Sequence, residues 1–200
     1  FLPEKTGIKI PFYAQHSVTT YTPEYDPYDL DIPLKEKLDA APAATKDSIR
    51  EQAQEYNSIS TINFSNVRKE RTGDSKPMPW DISNFSASFN HTKTINRNAL
   101  IQNDQTDNHR GGIDYSFSWR PKYIQPFKKV KNKNLKFIKE INLNPIPNSF
   151  TFNTLLDRHQ QATTYRFVEE AFNTYYIRKF LWSRNYDVKW DIMKALKLNY

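Results

Sequence analysis

The stretch from Phe180 to Tyr200 sets the tightest limit on what this chain can fold into. Its even positions run Phe180, Trp182, Arg184, Tyr186, Val188, Trp190 and Ile192, then Lys194, Leu196, Leu198 and Tyr200. Between them stand Ser183, Asn185, Asp187, Lys189 and Asp191, then Ala195, Lys197 and Asn199. Strand side chains point alternately to opposite faces, so the apolar bulk falls on one face and the polar groups on the other. A strand crossing a membrane within a barrel needs about 9–11 such residues, with aromatics at headgroup level. A soluble sandwich strand with one wet face alternates too. The length of the first run and its Trp, Tyr and Trp favour the barrel. Met193-Lys194-Ala195 is the expected turn into a second strand.

Composition agrees with that reading. The chain holds four Trp, twelve Tyr and thirteen Phe, yet its mean hydropathy is −0.81. Alternating strands with one polar face produce that pairing of aromatic excess with a polar average. No run of about 18 apolar residues exists, which excludes a transmembrane helix. There is no cysteine, so neither disulfides nor Cys-ligated metal staple the fold. The chain does not start with Met, shows no signal peptide and stops inside a strand pattern. It therefore reads as a section of a longer chain.

Alternation recurs along the sequence. Ile8, Ile10, Phe12, Ala14 and Val18 share a face in a strand that Pro11 and Tyr13 mark as lying near an edge, a bulge or a rim. The segment 21–57 is expected to be a long Pro-rich loop carrying one short helix over Thr45–Tyr56, because closely spaced prolines forbid helix between Thr22 and Leu34. Strands follow at Ser58–Arg68 and Asp81–Thr94, the second with Phe85, Ala87 and Phe89 opposed by Ser86, Ser88 and Asn90. The polar, Asn/Asp-rich run Ile95–His109 reads as a second long loop. From Gly111 to Arg120, Ile113, Tyr115, Phe117 and Trp119 oppose Asp114, Ser116 and Ser118. Another strand holds Phe150 and Phe152 and closes at Leu155–Arg158. Residues 163–180 read as one or two strands, or a short helix over Val168–Phe172. About seven or eight strands result, with short turns expected at one end and long loops at the other.

The site expectation follows from this parity. Ile113, Tyr115, Phe117, Trp119, Trp182, Tyr186, Val188, Trp190 and Ile192 are the candidate lipid-facing side chains. Ser86, Ser88, Asn90, Asp114, Ser116 and Ser118 are the candidate lumen-facing set. Arg184 sits on the apolar parity, where a midplane charge costs about 2–4 kcal/mol; either it stands at a rim within reach of headgroups, or the facing differs there.

Signs of other chemistry are weak. His16, His91, His109 and His159 lie on different elements without ligand spacing. There is no nucleophile elbow or phosphate loop, so neither enzyme nor cofactor is expected. Glu24, Asp26, Asp29 and Asp31 form an acidic cluster whose prolines and missing glycine argue against a calcium loop. Asp157 and Arg158 read as a polar pair lining an interior. The net charge of +7 concentrates in Lys128, Lys129, Lys131, Lys133, Lys136 and Lys139. Those lysines lack interleaved aromatics for base stacking, so the reading includes no nucleic acid.

Several stretches together carry a family resemblance. They are Gly7–Tyr13, Pro23–Leu34, Asn63–Lys69, Asn144–Ser149 and Asn185–Ile192, the proline-rich acidic loop and the order of the segments being the most specific. The chain resembles the SprA (Sov) family, the outer-membrane translocon of the type 9 secretion system of Bacteroidota, associated with gliding motility. The resemblance spans most of these residues but only a small part of so large a family member. It implies a section of a very large all-β barrel in the cell outer membrane, residues 1–200 forming part of one barrel domain that passes folded cargo to the surface. Implied partners are outer-membrane lipid, cargo proteins with type 9 C-terminal signals, a smaller cargo-receiving barrel and a plug protein. The rival readings are another outer-membrane barrel, such as a nutrient receptor or porin, and a soluble all-β surface-binding module.

Overall fold

The structure is a computed structural model describing residues 6–74, 76–128, 141–168, 173–194 and 196–199. One antiparallel sheet dominates it. Its strands are β1 (Ile8–Lys9), β2 (Phe12–Tyr21), β5 (Glu55–Lys69), β6 (Phe85–Arg97), β7 (Ile101–Ser118), β8 (Ser149–Tyr165), β9 (Thr174–Met193) and β10 (Leu196–Asn199). From β5 onward each strand pairs with its sequence neighbour, and β1 and β2 both lie along the outer side of β5. Among the described residues the sheet has two edges, β1–β2 and β9–β10. β10 pairs back onto β9, with Leu196 opposite Met193 and Leu198 opposite Trp190, where the turn is expected; Ala195 lies outside the described residues.

The polar run Ile95–His109, expected to be a loop, is strand on both sides of a tight turn. Asn98 closes that turn, accepting the Leu100 and Ile101 amides on its side-chain oxygen at 2.9 and 2.8 Å. Pairing continues through Asn96 opposite Asp104 and His91 opposite His109. Likewise β8 does not close at Arg158 but runs on to Tyr165.

The segment between β2 and β5 holds more structure than expected. A small hairpin of β3 (Tyr25–Asp26) and β4 (Asp29–Pro33) leads into two helices, α1 (Leu34–Ala40) and α2 (Ala43–Ala53). The proline-spaced run holds no helix up to Pro33, which sits at the N-cap of α1, and Pro42 plays the same part for α2. A proline at a helix start loses no helical hydrogen bond, since its missing N–H has no intrahelical acceptor there. Leu34 and Ala53, 2 % and 3 % exposed, form the small core of this insertion. The Tyr28 hydroxyl donates to the Ala99 carbonyl at 2.7 Å, and its ring meets Phe167 edge-on at 5.5 Å. An Arg97–Glu51 ion pair adds a second tie. The insertion therefore caps the sheet end that also holds the β6–β7 turn and the start of the β8–β9 connection.

Long connections occur at both ends. Residues 22–54 cap one end; the described residues of 70–84 and 119–148 stand at the other. The expected split into a short-turn end and a long-loop end is not found. The lysines from 129 onward in that second loop, and residues 169–172 of the expected short helix, lie outside the described residues.

At the second end β1 is latched to β5. Gly7 adopts φ 65°, and its carbonyl accepts the Glu70 amide at 2.6 Å. Lys9 and Arg68 both bond the Glu70 carboxylate, at 2.7 and 3.0 Å, which holds that carboxyl below its ordinary pKa. A Cβ at position 7 would stand 2.4 Å from the Glu70 carbonyl oxygen. Gly7→Ala is therefore expected to release β1, at a cost of about 1–3 kcal/mol for the left-handed backbone alone. Amide exchange at Glu70 checks it; unchanged protection would contradict the latch.

Candidate functional site: a two-faced sheet

Register decides which side chains share a face, because directly paired residues of antiparallel strands point the same way. Tyr115 pairs with Phe85 and Phe152, and Phe152 with Tyr186. Phe117 pairs with Phe150, and Phe150 with Val188. Phe12, Phe64, Phe89, Gly111, Leu156 and Trp182 form another row across the sheet. Ring centroids stand 5.0 Å apart for Phe12–Phe64, 4.9 Å for Phe85–Tyr115 and 5.0 Å for Phe152–Tyr186. A bulge in β5, with Asn66 at φ 52°, keeps Val67 on this face opposite Ala87. Trp190 and Ile192 continue the same parity along β9. Trp119 follows the end of β7, where its amide donates to the Asn148 carbonyl at 2.7 Å and its ring meets Phe117 edge-on at 4.8 Å.

The opposite face is polar. Ser86 pairs with Asp114, Ser88 with Gly112 and Asn90 with Arg110; Ser116 and Ser118 stand opposite Thr151 and Ser149. The two sets singled out from the sequence thus occupy two different faces of one sheet. Cross-strand hydrogen bonds lace the polar face. The Asn153 amide donates to Asp114 at 2.7 Å, and Gln161 and Thr163 donate to one Asp104 oxygen at 2.9 and 2.7 Å. Arg110 grips Asp157 through Nε and a terminal nitrogen, at 3.2 and 2.8 Å. Between these strands lies a shallow hollow of about 640 Å³ lined in part by Ser88, Asn90, Asn108 and Arg110.

Among the described residues neither face is packed against a second layer. Ile113, Trp182 and Tyr186 are 50, 53 and 54 % exposed, and the buried hydrophobic residues among those described are Leu34, Ala53 and Phe117. Burying apolar area is what holds a water-soluble domain together, and this face leaves it open.

The apolar face has a definite height. On β7 it runs from His109 to Trp119, about 33 Å at ~3.3 Å per residue. A strand tilt of roughly 45° reduces that to about 23 Å, against the ~25 Å apolar band of a membrane barrel. Tryptophans mark one limit: Trp119, Trp190 and Trp80, the last 74 % exposed on a turn that the Tyr115 hydroxyl holds through the Pro79 carbonyl at 2.8 Å. Beyond His109 the strands continue as a collar whose two faces are both mainly polar.

Several sequence expectations change here. Asp157 and Arg158 are chain neighbours on opposite faces; Asp157 pairs with Arg110, not Arg158. Arg184 lies on the apolar face in the row of Ile113 and Thr154, at mid-height and not at a rim, with its guanidinium 4.2 Å from the Trp182 ring centroid. In the acidic cluster, Asp26 is 1 % exposed and ion-paired with Lys37, while Asp29 accepts the Asp31 amide at 3.3 Å. His91 and His109, remote in sequence, stack at 4.3 Å with 20° between their planes. Parity alone could not find that pair, since it depends on the β6–β7 register. Among the described residues no group of three or more His, Cys, Asp or Glu could hold a metal ion.

The class these features define is an all-β protein built on one antiparallel, two-faced sheet. Residues 1–38 match the family described as motility related/secretion protein, SprA_N. No curated protein matches the chain. The match covers the first edge of the sheet and the start of the cap, and links that part of the chain to motility and secretion.

Proposed function

We propose that this chain supplies a section of the wall of an outer-membrane β-barrel that conducts secreted proteins to the cell surface. The observation that carries the reading is the exposed apolar face, edged by tryptophans at one limit and about one bilayer core in height, backed by a face rich in serine, threonine and asparagine. The motility and secretion match at residues 1–38 supports the choice of a protein conduit over a nutrient receptor or porin. In this reading Ile113, Tyr115, Phe117, Trp182, Tyr186 and Val188 meet lipid, and Ser86, Ser88, Asn90, Asp114, Ser116 and Ser118 line the lumen. Short neutral side chains hydrate a pore without gripping what passes. A wide lumen requires many strands, since barrel diameter grows with strand number, so this sheet is one arc of a larger wall. The system is type 9 secretion, with its cargo, receiving barrel and plug as partners.

Photo-crosslinkers at Asn90, Ser116 and Ile113, placed in cells that are actively secreting, test this. Asn90 and Ser116 are expected to capture exported protein, and Ile113 to capture none. Capture from Ile113 with silence at the other two positions would reverse the faces and sink the assignment.

A further inference from the structure

Where the apolar face ends, the same face turns cationic. Arg158 pairs across the sheet with His109, and His109 stacks on His91; one row further along stand Lys93 and Arg178. Arg158 and Arg178 are exposed. None of Lys93, Arg158 and Arg178 belongs to an ion pair among the described residues. On this face of β6–β9 beyond the band, Asp107 is the one carboxylate among the described residues, and it accepts the Gln105 amide at 2.6 Å. The other face sorts its charge differently: Asp104 and Asp157 lie there, Asp157 neutralised by Arg110. The nitrogen Nδ1 of His91 is buried without a hydrogen-bond partner among the described residues.

We infer that this row is a binding site for the phosphate groups of membrane lipid headgroups, on the leaflet nearer the collar. The inference rests on the membrane reading above and adds a ligand class to it. Position makes the argument. A row lying one band height from Trp119 and Trp190 falls at the second lipid–water boundary, where headgroup phosphates stand. Guanidinium groups there offer paired N–H donors that match phosphate oxygens, and the imidazole edges add further donors. A lumen-side row of the same charge would meet cargo instead, but Arg158 and Arg178 share their face with Trp182 and Phe180.

The test reconstitutes the full chain into phosphatidylcholine vesicles containing brominated phosphatidylglycerol or brominated phosphatidylcholine. Quenching of tryptophan fluorescence reports contact, and Trp182 lies on the same strand as Arg178. Phosphatidylglycerol is expected to be preferred, with about fivefold lost for each cation removed in Lys93→Gln, Arg158→Gln and Arg178→Gln. Lys179→Gln, on the opposite face of β9, should leave the preference intact. Quenching by brominated phosphatidylcholine must persist in each variant, which shows that it still inserts. Equal quenching by the two lipids in the unaltered protein, or equal loss from Lys179→Gln, would overturn the site while leaving the membrane reading standing. Competition by excess inorganic phosphate would show that a free anion, not a headgroup, is the ligand. Absence of quenching by either lipid would remove the membrane reading, and the site with it.

Discussion

Ile113→Arg is expected to destabilise the membrane-inserted protein by about 2–4 kcal/mol, while Ser116→Arg on the same strand changes stability little. Ile113 stands near the middle of the apolar height, paired with Ala87 and Thr154, where an arginine would meet hydrocarbon. Ser116 points the other way and would place its charge in a hydrated lumen. Depth gives a second, independent signature. Trp119→Arg lies at the tryptophan limit, where the penalty falls to about 0–1 kcal/mol. A soluble two-layer protein predicts another order, because cost would then follow burial and Phe117, 7 % exposed, would be the most sensitive position. Urea titration of the variants in lipid vesicles ranks them. A ranking that tracks burial in place of depth would defeat the membrane assignment.

The second large effect belongs to the cap. Lys37→Met leaves the Asp26 carboxylate, 1 % exposed, without its cation, and an uncompensated buried charge costs about 3 kcal/mol. That corresponds to roughly a hundredfold more frequent opening, read as faster amide exchange across α1 and α2. The sheet should be unaffected, since Leu34 and Ala53 make the cap's own small core. Adding Asp26→Asn should restore much of the protection by removing the stranded charge. Unchanged exchange in Lys37→Met would show that the pair contributes nothing to holding the cap closed.

Sequence alone disclosed the parts of the sheet where two faces meet two different environments. Over Gly111–Ser118 and Phe180–Ile192 the alternation is strong because one face is apolar and the other is not. Both candidate sets could be picked from that contrast, and the register then put them on opposite faces. The contrast disappears in the collar. His91, Lys93, Asp107 and Arg158 on one face, and Thr92, Asn108, Asp104 and His159 on the other, are all polar, so period-2 reasoning has no signal there. What holds those strands is pairing itself and side-chain hydrogen bonds such as His159 to Asn108 at 2.6 Å, which depend on partners distant in sequence. The Asn and Asp content that marks turns elsewhere misdirected the reading of Ile95–His109.

The cap was half legible for a different reason. Helix α2 carries its apolar residues at helical spacing, but α1 is only seven residues long and starts where the proline-spaced run ends, too short to show a period. The His91–His109 stack and the Arg110–Asp157 pair depend on which strands lie side by side. Sequence spacing does not encode that.

The neighbour-to-neighbour order of β5 through β10 also bears on how much the chain can carry between its strands. Closing a flexible connection costs entropy that rises only with the logarithm of its length, about 0.6 kcal/mol for each doubling. A meander has to close nothing longer than the connection itself before the next pair of strands can form. Segments as different as the Asn98–Leu100 turn and the insertion over residues 22–54 can therefore join strands of the same sheet at costs only about 2 kcal/mol apart. The wall can keep its register while the material mounted on its two ends grows, shrinks or changes its task.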